Sequence, residues 1–406
     1  MALSLIQITV ALLVTHACGW IARRQGQARV IGEMIGGILL GPSVAGRFAP
    51  QISAHLFPAD SLAPLEVLST VGLILFLFVI GSELDYNHLR RHRATAALAS
   101  GIGILLPMLM AIVMAPFLRT RFAPAASRVS FDLFLGISMS ITAFPVLARI
   151  LEERGLKAAP IGIIALMCAA VDDVCAWALL AVAITLLPAT RESWPLAYRL
   201  LALVVYLCVM LFVVRPLAHR LARPHKDKGL SYEFLAIAVV AAVASASATN
   251  AIGVHPLFGA FLAGLCFPRI KHWQETLGIR IGTLVSTLLL PLFFALTGLR
   301  TRIDLLDSST AWLWTAVILI MAIAGKGGGA VFAARLTGHS WQQALALGAL
   351  LDTRGLVELV VLNIAYDAHV FPPELFTMMV VMALLTTMLT VPVLELLGVH
   401  SQDEQA

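Results

Sequence analysis

Apolar residues run along this chain in long blocks separated by short polar stretches, and the blocks are as long as a bilayer is thick. Taking about 17 to 25 residues for one helical crossing, the pattern predicts thirteen helices, bounded roughly as 3–22, 30–49, 63–82, 94–117, 131–150, 160–187, 196–218, 231–252, 256–268, 281–298, 310–335, 342–365 and 374–397. The ninth is too short to cross alone, unless Val254-His255-Pro256 joins it with a break to the eighth. The expected fold is therefore an all-α polytopic membrane protein, with a membrane domain over 1–397 and a short polar tail over 398–406 that ends in Asp403-Glu404-Gln405-Ala406.

Two of the blocks carry polar interruptions. The fifth reads Gly136-Ile-Ser138-Met-Ser140-Ile-Thr142-Ala-Phe144-Pro145, in which a central proline and clustered hydroxyls free backbone carbonyls that something other than the helical ladder must meet. The twelfth reads Leu351-Asp352-Thr353-Arg354-Gly355-Leu356, with charge and a glycine in mid-run. These helices lie seven apart in the count, so they cross in opposite senses. That is the mark of an inverted-topology repeat, which sets two discontinuous helices opposite each other at the midplane with half-helix ends of both signs.

Composition agrees with this reading and narrows it. Hydrophobic residues make up 60% of the 406, charged residues 13%, and mean hydropathy is +0.91, values of a multi-spanning membrane protein. A net charge of +5 would suggest nucleic acid in a soluble protein. Here it follows from basic loops, and no nucleic-acid partner is expected. Loops after odd-numbered helices hold eighteen Lys and Arg, among them Arg90, Arg91, Lys157, Lys226 and Lys228, against eight, Arg191 included, after even-numbered ones. This bias places the N-terminus outside and the C-terminus in the cytoplasm. Cys18, Cys168, Cys175, Cys208 and Cys266 lie inside apolar runs without metal-ligand spacing and read as small buried hydrophobes. No cofactor is expected. The Gly32/Gly36 and Gly37/Gly41 spacings permit close helix approach, either within one chain or in a dimer.

The candidate chemistry sits in the sixth block, at Val171-Asp172-Asp173-Val174. Two adjacent carboxylates among Ile, Leu, Ala and Met cannot both ionise in hydrocarbon without a counter-charge or a bound cation. Of the 28 Lys and Arg, those two sets of loop residues account for 26; the remaining two, Lys326 and Arg354, lie within the eleventh and twelfth spans, and Lys326 is the natural counter-ion of the acidic pair. Consecutive helical positions point about 100° apart, so one carboxylate can face a permeation cavity while the other faces the lysine. Hard oxygen ligands are on offer for a monovalent cation: the carboxylates of Asp172 and Asp173, the hydroxyls of Ser138 or Thr142, and freed carbonyls of the helices broken near Pro145 and at Thr353-Arg354. Glu358, one turn beyond Arg354, is a further partner for that guanidinium. Protons and metal cations then compete for one charge, and a site of that kind that opens alternately to each side is an antiporter.

Six segments, Val30-Ile-Gly-Glu-Met-Ile-Gly-Gly-Ile-Leu-Leu-Gly-Pro-Ser43, Leu75-Phe-Leu-Phe-Val-Ile-Gly81, Val171-Asp-Asp-Val174, His255-Pro-Leu-Phe-Gly-Ala-Phe-Leu-Ala-Gly264, Pro291-Leu-Phe-Phe-Ala-Leu-Thr-Gly298 and Thr353-Arg-Gly-Leu-Val-Glu358, occur in order and spacing along nearly the whole chain. In these the sequence resembles the monovalent cation:proton antiporter-2 family. The resemblance implies exchange of Na+ or K+ for H+, two crossed broken helices, a homodimer, and an ion-binding bundle (about 94–187 and 310–397) that moves against a dimerisation bundle (about 3–82 and 196–298). It implies that Asp173 is the main cation and proton carrier, that Asp172 pairs with Lys326, and that exchange tends to be electrogenic. The family pattern has an amide or neutral residue where this chain has Asp352, which either pairs with Arg354 or adds negative charge beside the site. The short tail favours a plain bacterial antiporter of the cytoplasmic membrane without a large regulatory domain.

Other function classes fit less well. A cation channel needs a carbonyl or charged-ring filter, and no such segment occurs. An intramembrane aspartyl protease, the enzymatic alternative, needs acids on different helices, whereas Asp172 and Asp173 are consecutive. The nearest competitor is a sodium-coupled symporter of organic solutes with similar architecture.

Overall fold

The computed structural model describes residues 2–58, 61–83, 93–156, 159–187, 196–225 and 229–399. Among these there is no strand. The helices are α1 (Ala2–Arg24), α2 (Arg29–Leu40), α3 (Ala45–Phe48), α4 (Pro50–Leu56), α5 (Ala63–Glu83), α6 (Arg93–Phe122), α7 (Arg128–Ser140), α8 (Phe144–Glu153), α9 (Pro160–Thr185), α10 (Leu196–Val209), α11 (Arg215–Ala222), α12 (Tyr232–Ile252), α13 (Pro256–Cys266), α14 (Lys271–Leu277), α15 (Leu290–Arg300), α16 (Ser309–Ala322), α17 (Gly328–Leu336), α18 (Trp341–Leu351), α19 (Leu356–Asp367) and α20 (Pro373–Leu396). Wider π-turns join some of these into longer rods, notably Ile323–Gly327 between α16 and α17. Nine helical rods among the described residues are long and apolar enough to cross a membrane, and α13 is a shorter apolar helix. Arg90, Arg91, Lys157, Arg191, Lys226 and Lys228 of the predicted loops, and the tail from residue 400 onward, lie outside the described residues.

The predicted breaks are real interruptions. The block expected as one helix over 131–150 is split at Ile141–Ala143, where Ile141 turns extended (φ −82°, ψ 137°). Pro145 falls at the second position of α8, where a missing N–H costs no ladder bond. The block over 342–365 is split between Leu351 and Leu356. The second block is shorter than expected: α2 ends at Leu40 instead of residue 49, because Gly41 goes extended before Pro42 and two short helices follow. Several ends carry caps legible in sequence. Ser340 and Gln343 form a reciprocal capping box at α18, and Gly253 closes α12 in the left-handed region (φ 84°).

The chain divides into two compact units. One comprises Met1–Leu12, Phe57–Asp85 and Ala181–Leu296. Within it α13 lies against α5 and α12, and Phe78, Phe267, Trp273 and Phe234 form a chain of ring contacts 5.0 to 6.5 Å apart. The small residues of α13 are used here: a Cβ on Gly264 would lie 2.2 Å from the Phe78 carbonyl, and one on Gly259 would lie 2.3 Å from that of Ser245.

The other unit comprises Leu13–Leu56, Tyr86–Leu180 and Thr297–Ala406, and holds every candidate site residue. In it α6 lies against α7 and α17, α17 against α18, α16 against α20, and α7 against α19. Phe131 and Phe371 meet edge to face at 5.6 Å. The glycines of α2 are consumed inside this unit: a Cβ on Gly32 would lie 2.2 Å from the Cys18 carbonyl, and one on Gly298 would lie 2.2 Å from the backbone of Gly37. Of the two roles open to the glycine spacings, these contacts are internal packing.

Gly298→Ala should therefore destabilise the protein by about 1–3 kcal/mol, the range for overpacking a closed contact, whereas Gly282→Ala, with nothing within 4 Å of its added Cβ, should not. Thermal melts of both variants in detergent check this; equal melting would refute the contact.

Candidate functional site

Two buried charge clusters lie where the broken helices meet α9 and the π-turn. The two breaks touch directly: the Ala143 N–H donates to the Thr353 carbonyl at 2.9 Å. Each interruption thus satisfies part of the backbone that the other leaves open.

The first cluster is built on α9. Asp172 and Asp173 are each only 1% exposed. Lys326, 0% exposed, donates from Nζ to Asp172 Oδ2 at 2.5 Å and to the Ser140 carbonyl at 2.6 Å. Its position depends on the π-turn Ile323–Gly327, where one extra residue widens the helix. Gly325 and Gly329 let that turn approach α6 closely, an added Cβ on Gly325 falling 2.9 Å from Pro107. Thr142 Oγ1 lies 3.0 Å from Asp172 Oδ2 and 2.6 Å from the Leu351 carbonyl. Its single hydroxyl proton serves one of these at a time, so the bond it makes depends on whether Asp172 is charged. A cavity of about 10 Å³ beside Asp172, lined also by Ser140, Ile141, Ile104, Ile137 and Ala176, is on the scale of one water.

Asp173 stands in contrast. Neither of its carboxylate oxygens has a hydrogen-bond partner among the described residues, and Asp172 Oδ1 has none either. One ammonium thus faces two carboxylates. A buried carboxylate without a partner is costly, and with both acids ionised the arrangement is one positive charge short.

The second cluster is centred on Arg354, 1% exposed. Its guanidinium donates to the Ser138 carbonyl at 2.7 Å and the Met139 carbonyl at 2.8 Å. It lies 3.5 Å from Asp352 Oδ1 and 3.6 Å from Glu358 Oε2. Asp352 therefore pairs with Arg354, and both of its neighbouring acids share that one base. The last carbonyls of α7 are capped by two cations, Ser138 and Met139 by Arg354 and Ser140 by Lys326. Positive charge at a helix C-terminus also suits the helix dipole. Thr387 holds Arg354 in place, accepting its backbone N–H at 2.9 Å and lying 2.8 Å from its carbonyl.

The candidate residues fall into these groups unequally. Asp172, Lys326 and Thr142 are in direct contact. Ser138 contributes its carbonyl to Arg354, and its hydroxyl bonds to nothing among the described residues. The Thr353 hydroxyl pairs with Thr390 at 3.2 Å, Glu358 turns to Arg354, and Pro145 contributes a helix start. The freed carbonyls expected of the two broken helices are those of Ser138, Met139, Ser140 and Leu351, and they meet Arg354, Lys326 and Thr142; Thr387 and the π-turn were missed from the sequence. The run Gly325-Lys326-Gly327-Gly328-Gly329 was the available signal for the last.

Comparison with known proteins adds to this geometry. The family described as sodium/hydrogen exchanger, transmembrane, matches residues 10–397. The chain is 38% identical over 399 residues to the Na(+)/H(+) antiporter NhaS4 of Synechocystis sp., covering 96% of each. It is 39% identical over 391 residues to Cation/H(+) antiporter 17 of Arabidopsis thaliana, covering 96% of this chain and 48% of that protein. It is 32% identical over 405 residues to K(+)/H(+) antiporter 1 of Saccharomyces cerevisiae, covering 98% and 46%. The chain thus spans about half the length of the plant and yeast relatives. Among solved structures, the sodium proton antiporter MjNhaP1 of Methanocaldococcus jannaschii shares the fold, with a TM-score of 0.69 at 15% identity over 97% of both chains. These relatives are transporters, not enzymes.

Removing Lys326 while keeping Asp172 leaves a buried carboxylate and the Ser140 carbonyl uncompensated. Lys326→Gln should cost about 3–5 kcal/mol, the range for breaking a buried pair from one side. The double variant Asp172→Asn/Lys326→Gln should recover much of that loss. Melting temperatures arranged in a double-mutant cycle test this, and additive losses would show the two side chains to be uncoupled.

Proposed function

The chain belongs to the sodium/hydrogen exchanger family, and on that premise we propose that it exchanges a monovalent cation, Na+ or K+, for protons across a membrane by alternating access. The observation that carries the reading is the pair of unpartnered, buried oxygens of Asp173 beside an ion pair that has already used the lysine. Asp173 takes the cation when deprotonated, helped by Asp172 and the hydroxyl of Thr142, and takes a proton when the cation leaves. Only one positive charge is needed to balance the cluster, so binding of one species releases the other. When a cation draws on Asp172 as well, Lys326 is left with the Ser140 carbonyl alone, so the Asp172–Lys326 pair opens as the cation binds and closes as it leaves. In this reading the exchange is electrogenic.

The residues that bind the cation sit on helices whose interruptions provide carbonyls and hydroxyls, and Arg354 holds the last turn of α7 so that its backbone does not collapse onto the aspartates. In this reading the bundle formed by 94–187 and 310–397 carries the site and moves relative to the bundle formed by 3–82 and 196–298, through which two copies pair as a homodimer in the lipid bilayer. The grouping of the site residues in one compact unit supports a common bundle for the site, although Leu13–Leu56, which belongs to the other bundle in this reading, falls in that same unit. The loop bias supports an N-terminus outside and a C-terminus in the cytoplasm of a bacterial inner membrane. Both ions remain in the proposal because relatives named for Na+ and for K+ exchange align along 96% and 98% of this chain.

In proteoliposomes carrying a pH gradient, addition of NaCl or KCl should dissipate the gradient with no organic solute present. Asp173→Asn should abolish that response while the protein still elutes and melts as a folded species. Full activity in the variant would defeat the assignment, and a response that requires an organic solute would favour a symporter.

A further inference from the structure

An apolar groove of about 540 Å³ runs along α18, with walls from α17, α18 and α20 that include Val331, Phe332, Leu345, Ala349, Leu389 and Val393. Phe332, Leu345 and Leu389 are themselves exposed, so the groove opens sideways, toward the hydrocarbon of a bilayer. Charged groups stand only at its two ends, Arg335 beside Trp341 at one and Asp352 at the other, one α18 length apart. From Trp341 to Ala349 is about 12 Å along the helix, within the roughly 15 Å that the chains of one leaflet span.

The two ends differ in what they still need. Asp352 is paired with Arg354 at 3.5 Å, and the nearby hydroxyls of Thr386 and Thr390 bond carbonyls of α20, so that end asks nothing of an occupant. Arg335, exposed in the last turn of α17, has no carboxylate partner among the described residues. Its guanidinium stacks on the Trp341 ring, 4.6 Å from the centroid, and donates through Nη1 to the His339 carbonyl. The charge is unmatched, and the start of α18 beside it adds partial positive charge. A neutral lipid would cover the walls and leave the guanidinium uncompensated, whereas a small anion would meet the guanidinium and leave the walls bare. An occupant that matches both has a hydrocarbon body and an anionic head. Trp and Arg at one level are what membrane helices present to the interface, so the head lies at headgroup depth and the chain runs inward.

We propose that this groove holds an acyl chain of an anionic phospholipid, with the phosphate on Arg335 and the chain along α18 as far as Ala349. The chain lies against Gly327, next to Lys326 in the π-turn, and so covers the helices that carry the buried lysine. The site is separate from Asp173 and does not depend on the exchange reading.

Native mass spectrometry of the delipidated full chain, titrated with phosphatidylglycerol and with phosphatidylcholine of the same acyl composition, tests it. The wild type should bind its first phosphatidylglycerol saturably and at least about tenfold more tightly than phosphatidylcholine, as expected for one charge-assisted contact. Arg335→Gln should bring phosphatidylglycerol down to the affinity of phosphatidylcholine. Ala349→Leu, which narrows the groove from a half-buried position and leaves every charge in place, should weaken both lipids. Arg280→Gln, which removes another exposed cation outside the groove, should bind both as the wild type does, and excess glycerol phosphate should not displace the lipid. Equal affinity of the wild type for the two lipids, undiminished phosphatidylglycerol binding by Arg335→Gln or Ala349→Leu, an equal loss in Arg280→Gln, or displacement by glycerol phosphate would each overturn the proposal.

Discussion

The ion pair between Lys326 and Asp172, sealed from solvent at 2.5 Å, is the interaction on which the rest of the site depends. In a low-dielectric interior neither charge is tolerable alone, and each also holds a piece of backbone or a hydroxyl: Lys326 the Ser140 carbonyl, Asp172 the Thr142 hydroxyl. Because the lysine is taken by Asp172, the neighbouring Asp173 is left a buried carboxylate with neither a hydrogen bond nor an ion pair among the described residues. In the exchange proposed above, a site that lacks one unit of positive charge serves better than a balanced one, since whichever cation arrives displaces the one that was there.

The scaffold around that pair solves a second problem, the open backbone of two broken helices. Three successive carbonyls at the end of α7, from Ser138, Met139 and Ser140, receive charged donors from two different elements. The other break is closed by Thr387 on α20 and by the Ala143 N–H. The same cations therefore neutralise acids and cap a helix end. This double role ties the electrostatics to the position of the backbone: a change of charge on Asp172 alters what Lys326 and Thr142 hold, and hence what α7 and the Leu351 carbonyl feel. Asp352 adds a negative charge to the Arg354 cluster without adding a base, so that two acids share one guanidinium there.

Close approach of the elements is a matter of missing side chains. Gly32, Gly264 and Gly298 are places where backbones meet with no room for a methyl group, and membrane helices, which gain little from burying apolar surface against one another, rely on such contacts. The glycines beside Lys326 serve the same end at the site itself, letting a lysine-bearing turn lie against α6.

Much of this was written in the sequence, for reasons that are local. Apolar run length is fixed by bilayer thickness, Pro145 and the Leu351–Leu356 interruption announce themselves by composition, and charge conservation alone points Lys326 toward the paired aspartates. What the sequence left open are relations between residues far apart in the chain. The glycine spacings of α2 were compatible with a dimer or with internal packing until Cys18 and Gly298 filled them. Asp352 had two possible roles until Arg354 was found between it and Glu358. Which carboxylate Lys326 reaches, 154 residues away, depends on the extra residue of the π-turn and on the angle at which α9 crosses it. Periodicity reports which residues are buried, but the partner of a buried charge is set by tertiary distance, and at 3 Å scale only the assembled helices determine that.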